Sequence, residues 1–212
     1  MSLQDVADRT GCPIRFLVGV RAVESGGNPR AIRFEPHIFQ RHRSELVVEI
    51  HRDTSVEEAH PQRIAAWKAG KIPYTPGRMR DGKPRAASSS REETDRPAFE
   101  AARKIDAVAA VRASSWGSYQ QLGGSFPKAL GMKSMDTTPE ANAAVAAFDA
   151  DPADVSDKLL AAWLVANPKA LAAAKADDVE EFVRRYNGGP NPGYCAKMRK
   201  AFADFDAGKL SP

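Results

Sequence analysis

An α+β fold with helices in the majority is predicted by three features of this 212-residue chain. Apolar residues recur at three- and four-residue spacing through most of its second half. Four stretches there pair a capping residue with proline: Thr138-Pro139, Asp151-Pro152, Asn167-Pro168 and Asn191-Pro192. β-branched and aromatic residues gather near residues 30–50, which predicts one small extended element. The sum is one domain over residues 1–212, mostly α, with about eight helices.

Each element has its own signal. Residues 3–9 make a short helix that stops at Thr10-Gly11. The apolar run Ile14 to Val23 follows Pro13 and ends at Gly26-Gly27, the punctuation of a helix over 13–25. Ala31 to Phe39 reads as extended chain, with Pro36 confining it to an edge strand. Residues 44–51 fit a strand or a short helix equally well. From Gly70 to Arg96 the composition turns to Pro, Gly, Ser and charge, which predicts a long mobile surface loop within the domain. Phe99, Ala102, Ile105, Val108 and Ala109 then mark an amphipathic helix over 97–113, broken by Ser114-Ser115-Trp116-Gly117. Asp177 with Glu180 reads as a capping box for a helix that runs to Tyr186 and stops at Gly188-Gly189.

Composition narrows the function classes. A formal charge of +4 favours an anionic partner, and the basic residues are spread along the chain, against a dedicated nucleic-acid face. The basic stretch 77–91 has no interleaved aromatic residue for base stacking. No apolar run approaches the ~18 residues of a membrane span, so stable membrane insertion is not expected. Met1 to Asp8 has neither the basic start nor the apolar core of a signal peptide, which predicts a protein kept in the cytoplasm until something else releases it. Cys12 and Cys195 read as free thiols. His37, His42, His51 and His60 fit no metal-ligand spacing, and no glycine-rich phosphate loop follows a predicted strand. No cofactor is expected.

Glu24 carries the chemistry. Counting back by four, seven and eight from it gives Val20, Leu17 and Phe16, so it lies on the apolar stripe in the last turn of its helix. Burial and the negative end of the helix dipole both disfavour its anion and raise its pKa. A glutamate kept protonated near neutral pH is what a general acid requires. Two further stretches hold aromatic, amide and hydroxyl side chains beside glycines: Ser114 to Gly124, and Arg185 to Pro190. Such side chains suit a sugar polymer, whose C–H faces stack and whose hydroxyls pair with amides.

Four ordered motifs carry a resemblance. They are Val23-Glu-Ser-Gly-Gly27, Phe34-Glu-Pro-His-Ile-Phe39, Ser115-Trp-Gly-Ser-Tyr-Gln-Gln-Leu-Gly123 and Tyr186-Asn-Gly188. In this order they resemble the N-acetylmuramidase family of bacteriophage endolysins, within the lysozyme-like superfamily, from about residue 14 to about residue 200. The resemblance implies a lysozyme-like fold and cleavage of the β-1,4 bond between N-acetylmuramic acid and N-acetylglucosamine in bacterial peptidoglycan. It implies Glu24 as general acid and Glu35 as the motif's candidate second carboxylate, with Glu45, Glu49 and Asp53 as others nearby. It carries substrate contacts onto Ser115, Trp116, Tyr119, Gln120, Tyr186 and Asn187, with Tyr186 as the tyrosine facing the acid. Ser118 and Gln121 depart from it, being polar where aliphatic residues are expected. A monomer acting on the host wall, with no nucleic acid as partner, completes the expectation.

Two rivals remain at this level. A lytic transglycosylase of the same superfamily uses one acid and no second carboxylate. A wall-binding or virion module of the same fold would not use Glu24 at all. For Glu35, the alternative to catalysis is an ion pair with Arg33 or Arg41.

Overall fold

The computed structural model describes residues 1–35, 38, 39, 42, 79, 80, 83, 84 and 92–212. Among these, ten α-helices surround a three-stranded antiparallel sheet. Helix α1, Leu3–Thr10, is capped by Ser2, whose hydroxyl and Asp5 satisfy each other's backbone amides. Helix α2, Ile14–Ser25, ends at Gly26 in the left-handed conformation, as Ser-Gly-Gly predicts.

Strand β1, Ile32–Phe34, is the expected edge strand. It is shorter than the extended stretch read from the sequence, because Ile38 and Phe39 are already helical. A hairpin of β2, Met79–Arg80, and β3, Lys83–Pro84, falls inside the segment read as a loop. Helix α3, Glu92–Ile105, begins five residues before Pro97. Residues 44–51, the rest of 70–91, and His37, Glu45, Glu49, His51, Asp53 and His60 lie outside the described residues.

The helix expected over 97–113 is two. Asp106 is extended and its carboxylate accepts the amide of Ala109, which closes α3 and opens α4, Ala107–Arg112. The supposed helix break that follows supplies the rest of the sheet. Strand β4, Ser114–Trp116, lies between β1 and β5, Gln121–Leu122, with Arg33 opposite Ser115 and Ser115 opposite Leu122. A 3-10 turn, Gly117–Tyr119, joins β4 to β5.

Six helices complete the fold: α5 Phe126–Leu130, α6 Thr138–Ala150, α7 Pro152–Ala166, α8 Pro168–Lys175, α9 Val179–Tyr186 and α10 Pro192–Asp206. Asp151, Asn167 and Asn191 cap their helices as predicted, whereas α6 is capped by Thr137, one residue ahead of the expected Thr138, in a capping box with Glu140. The cap of α9 falls one residue late. Asp177 is left-handed, with φ 61°, and closes the preceding turn, so Asp178 accepts the amide of Glu181 instead.

The interior forms two clusters. One gathers α1, α2, α8, α9 and α10 around Phe16, Phe182 and Phe202. The other gathers β1, α3, α4 and α6 around Trp116, which meets Phe99, Phe126 and Phe148 edge-on at 4.9–5.2 Å. Helix α7 contributes to both. Helices α2 and α10 run antiparallel: Phe16 and Gly19 meet Phe202, while Glu24 meets Tyr194. Gly19 makes this possible, since a Cβ there would stand 2.7 Å from the Phe202 ring.

The turn at 117–119 is equally tight. Gly117 has φ 68°, and a Cβ on it would land on the Ser156 hydroxyl of α7. Left-handed strain costs about 1–2 kcal/mol and overpacking about 1–3 kcal/mol. Gly117→Ala is therefore expected to lose about 3 kcal/mol in urea unfolding, and a loss below ~0.5 kcal/mol would contradict this packing.

Candidate active site

Glu24 sits in the last turn of α2 and is half-buried. Its Oε1 accepts a hydrogen bond of 2.9 Å from the Tyr194 hydroxyl. Burial raises its pKa; the Tyr194 hydrogen bond and the charges of Arg33 and Lys197 oppose that shift without cancelling it. This is the protonation bias that the apolar stripe predicts.

The tyrosine on the acid is not the one expected. Tyr186 lies close enough for its ionisation to be opposed by Glu24, but its hydroxyl donates to the Tyr119 carbonyl and accepts from Gln121 Nε2 at 2.7 Å. Tyr194 takes the direct contact. The sequence carries a signal for its burial but not for its partner: Tyr194, Met198, Ala201 and Phe202 form the buried stripe of α10, and the cap at Asn191 fixes where that stripe starts. Gln121, a departure from the family pattern, is buried and ties Tyr186 to the turn.

Glu35 follows β1, and its backbone amide donates to the Ala113 carbonyl. Its carboxylate pairs with Arg33 Nε at 2.6 Å, as one of the two alternatives anticipated. Arg33 therefore acts on both carboxylates, by direct contact with Glu35 and by its field at Glu24.

The remaining expected residues divide. Trp116 and Tyr119, expected as substrate contacts, are fully buried and present no exposed ring face for sugar stacking. Trp116 is a core residue whose Nε1 donates to the Val111 carbonyl at 3.1 Å. The Tyr119 hydroxyl donates to Asp157 at 3.0 Å. Gln120 is left-handed, with φ 50°, and its Nε2 donates to the Gly117 carbonyl at 3.1 Å, which turns the amide towards the protein. Ser115 lies on the sheet row between Arg33 and Leu122, and is 9% exposed against 44% for Leu122. Asn187 is exposed at the C-terminal cap of α9 and shares no hydrogen bond with the acid's neighbours among the described residues.

One hydroxyl fixes the turn against the acid's helix: Ser25 Oγ donates to the Ser118 carbonyl at 2.9 Å. Ser25 and Tyr186 are thus both seated on backbone carbonyls of the 118–119 turn. No helix among the described residues is long and apolar enough to cross a membrane.

A mostly helical domain with a small three-stranded antiparallel sheet is a lysozyme-like architecture. Residues 14–206 match the Muramidase family, described as N-acetylmuramidase, and the chain belongs to that family of peptidoglycan hydrolases. Among solved structures it is similar to the endolysin of the Burkholderia phage AP3, with a TM-score of 0.64 and 21% identity over 97% of this chain and 70% of that one. That likeness establishes the fold. Comparison with curated protein sequences gives no significant match.

Two outcomes follow from the protonation of Glu24. Removing the Tyr194 hydroxyl removes a donor that favours the anion, so Tyr194→Phe should move the alkaline limb of kcat/KM upward and lower kcat by roughly tenfold. A limb that stays or moves down would separate Tyr194 from the acid. A carboxyl with a raised folded pKa stabilises the fold fully below its unfolded value, and that contribution is lost as pH rises through the folded one. Glu24→Gln should therefore gain stability relative to wild type between pH 4 and pH 8, measured by thermal unfolding; a constant difference would mean that Glu24 is solvated.

Proposed function

We propose that this protein is an endolysin-type N-acetylmuramidase that hydrolyses the β-1,4 bond between N-acetylmuramic acid and N-acetylglucosamine in peptidoglycan. The observation that carries this reading is Glu24: a half-buried carboxyl with a raised pKa, hydrogen-bonded at a helix end, in a chain of the Muramidase family. Protonated Glu24 donates to the glycosidic oxygen. The bond from that oxygen to the anomeric carbon of the muramic acid breaks, and N-acetylglucosamine leaves as an alcohol. Water adds its oxygen to the anomeric carbon, which has oxocarbenium character, and its proton passes to a base. Glu35 is the proposed base, aimed by Arg33.

A second reading rests on that ion pair. With Glu35 engaged by Arg33, the reaction would need Glu24 alone, and the muramic 6-hydroxyl would replace water, as in a lytic transglycosylase. The products differ by one water, so the readings are separable by mass. The likeness to a phage endolysin supports a place in phage lysis, and action on the host wall after release from the host cytoplasm is part of the proposal.

On purified cell wall, Glu24→Gln should fold normally and lose about 10²- to 10⁴-fold in lytic rate. Activity within a few-fold of wild type would remove Glu24 from the chemistry. Mass spectrometry of the wild-type digest should show reducing muramic acid ends, whereas 1,6-anhydro ends would favour the transglycosylase.

A further inference from the structure

A buried carboxylate on α7 has no place in the reaction as described. Asp157 is half-buried and its Oδ1 accepts from the Tyr119 hydroxyl at 3.0 Å. Among the described residues no cation contacts it. Arg21 of α2 and the Met1 amine favour its ionisation from a distance, and Asp154, on its own helix, opposes it. Asp154 is itself engaged by the Met1 amine and, at 2.7 Å, by Lys158. A half-buried carboxylate without a contacting cation is a poor means of stabilising a fold, since a neutral acceptor would fill the same space with less desolvation penalty.

What Asp157 does is hold a turn. Its neighbour Ser156 accepts the Ser118 amide at 3.2 Å, and the two residues together grip the Gly117–Tyr119 turn at a backbone amide and at a side-chain tip. The opposite side of that turn faces the acid. The Ser118 carbonyl accepts from Ser25, the residue after Glu24. The Tyr119 carbonyl accepts from Tyr186, whose ring lies 6.3 Å from that of Tyr194, and Tyr194 holds Glu24. Among the described residues, Ser118 and Tyr119 thus link Ser156 and Asp157 of α7 to Ser25 and Tyr186 by hydrogen bonds.

We propose that Asp157 is a positioning residue for Glu24, acting through the Tyr119 hydroxyl to fix the 117–119 turn on which Ser25 and Tyr186 are seated. The proposal rests on Glu24 being the acid. Its energetic logic is that a hydrogen bond to an ionised carboxylate is roughly twice as strong as a neutral one, so the grip is firm while Asp157 is charged. Burial pushes its pKa up to about 6, so the grip loosens as pH falls through that value.

The test uses a soluble glycan fragment, with kcat and KM measured from pH 4.5 to 8.5 for wild type, Asp157→Asn and Tyr119→Phe. Asparagine keeps the shape and an acceptor but does not titrate. Asp157→Asn should lower kcat about tenfold, leave KM within twofold, and abolish an inflection near pH 6 that wild type shows. Tyr119→Phe cuts the same link from the other side and should give the same loss, with the double variant no worse than either single one. The proposal is overturned if both folded variants keep the wild-type kcat and pH profile, or if their losses multiply in the double variant. Should Asp157→Asn fail to fold, Tyr119→Phe decides alone by the same kcat and pH criteria. Full activity in Glu24→Gln would instead sink the acid assignment, a result distinguishable because it does not involve the turn.

Discussion

The free energy of taking one carboxylate out of water governs this site. Glu24 keeps its proton to higher pH than an ordinary carboxyl because α2 carries it into partial burial beside Tyr194, where its anion is poorly solvated. The antiparallel contact of α2 with α10 creates that environment. Gly19 lets the Phe202 ring close against α2, and the same close approach brings Tyr194 to the acid at the other end. Packing and acidity are two consequences of one helix pair.

Opposing that desolvation are groups that stabilise the anion: the Tyr194 hydroxyl, Arg33 and Lys197. A general acid needs both tendencies, because it must donate its proton and then bear the charge left behind. Arg33 couples this balance to the sheet, since it also engages Glu35 and lies in register with Ser115. The sheet is small, yet one face is anchored by Trp116, the largest fully buried side chain of the second cluster. Its buried indole lets the other face carry polar residues without the sheet coming apart.

Much of the fold was legible because its signals are local. Cap residues followed by proline set helix starts within one residue, and Ser-Gly-Gly set the end of α2. Glu24 was legible for the same reason, since its position on the apolar stripe follows from counting along one helix. What escaped was what depends on distant chain segments. Ser114–Trp116 reads as a break in a helix, and only pairing with β1 makes it a strand. Trp116 and Tyr119 read as cleft residues because aromatic side chains beside glycine and amide suit a sugar; their burial depends on α3, α6 and α7 closing over them. Tyr194 was missed because nothing in its own helix says which neighbour that helix will meet. Gln121 looked like a departure from the pattern, and it is the side chain that holds Tyr186.

Helix α7 has a further consequence for how the molecule comes apart. Val155 and Leu159 belong to one hydrophobic cluster; Leu160, Ala161 and Leu164 belong to the other. Melting either cluster would strip one side of α7 and remove the support on which the other depends. The two clusters are therefore expected to unfold together. Backbone amides of α7 should be among the slowest in the protein to exchange with solvent, released only in global unfolding. Thermal loss of the fold and loss of the acid's environment become a single cooperative event.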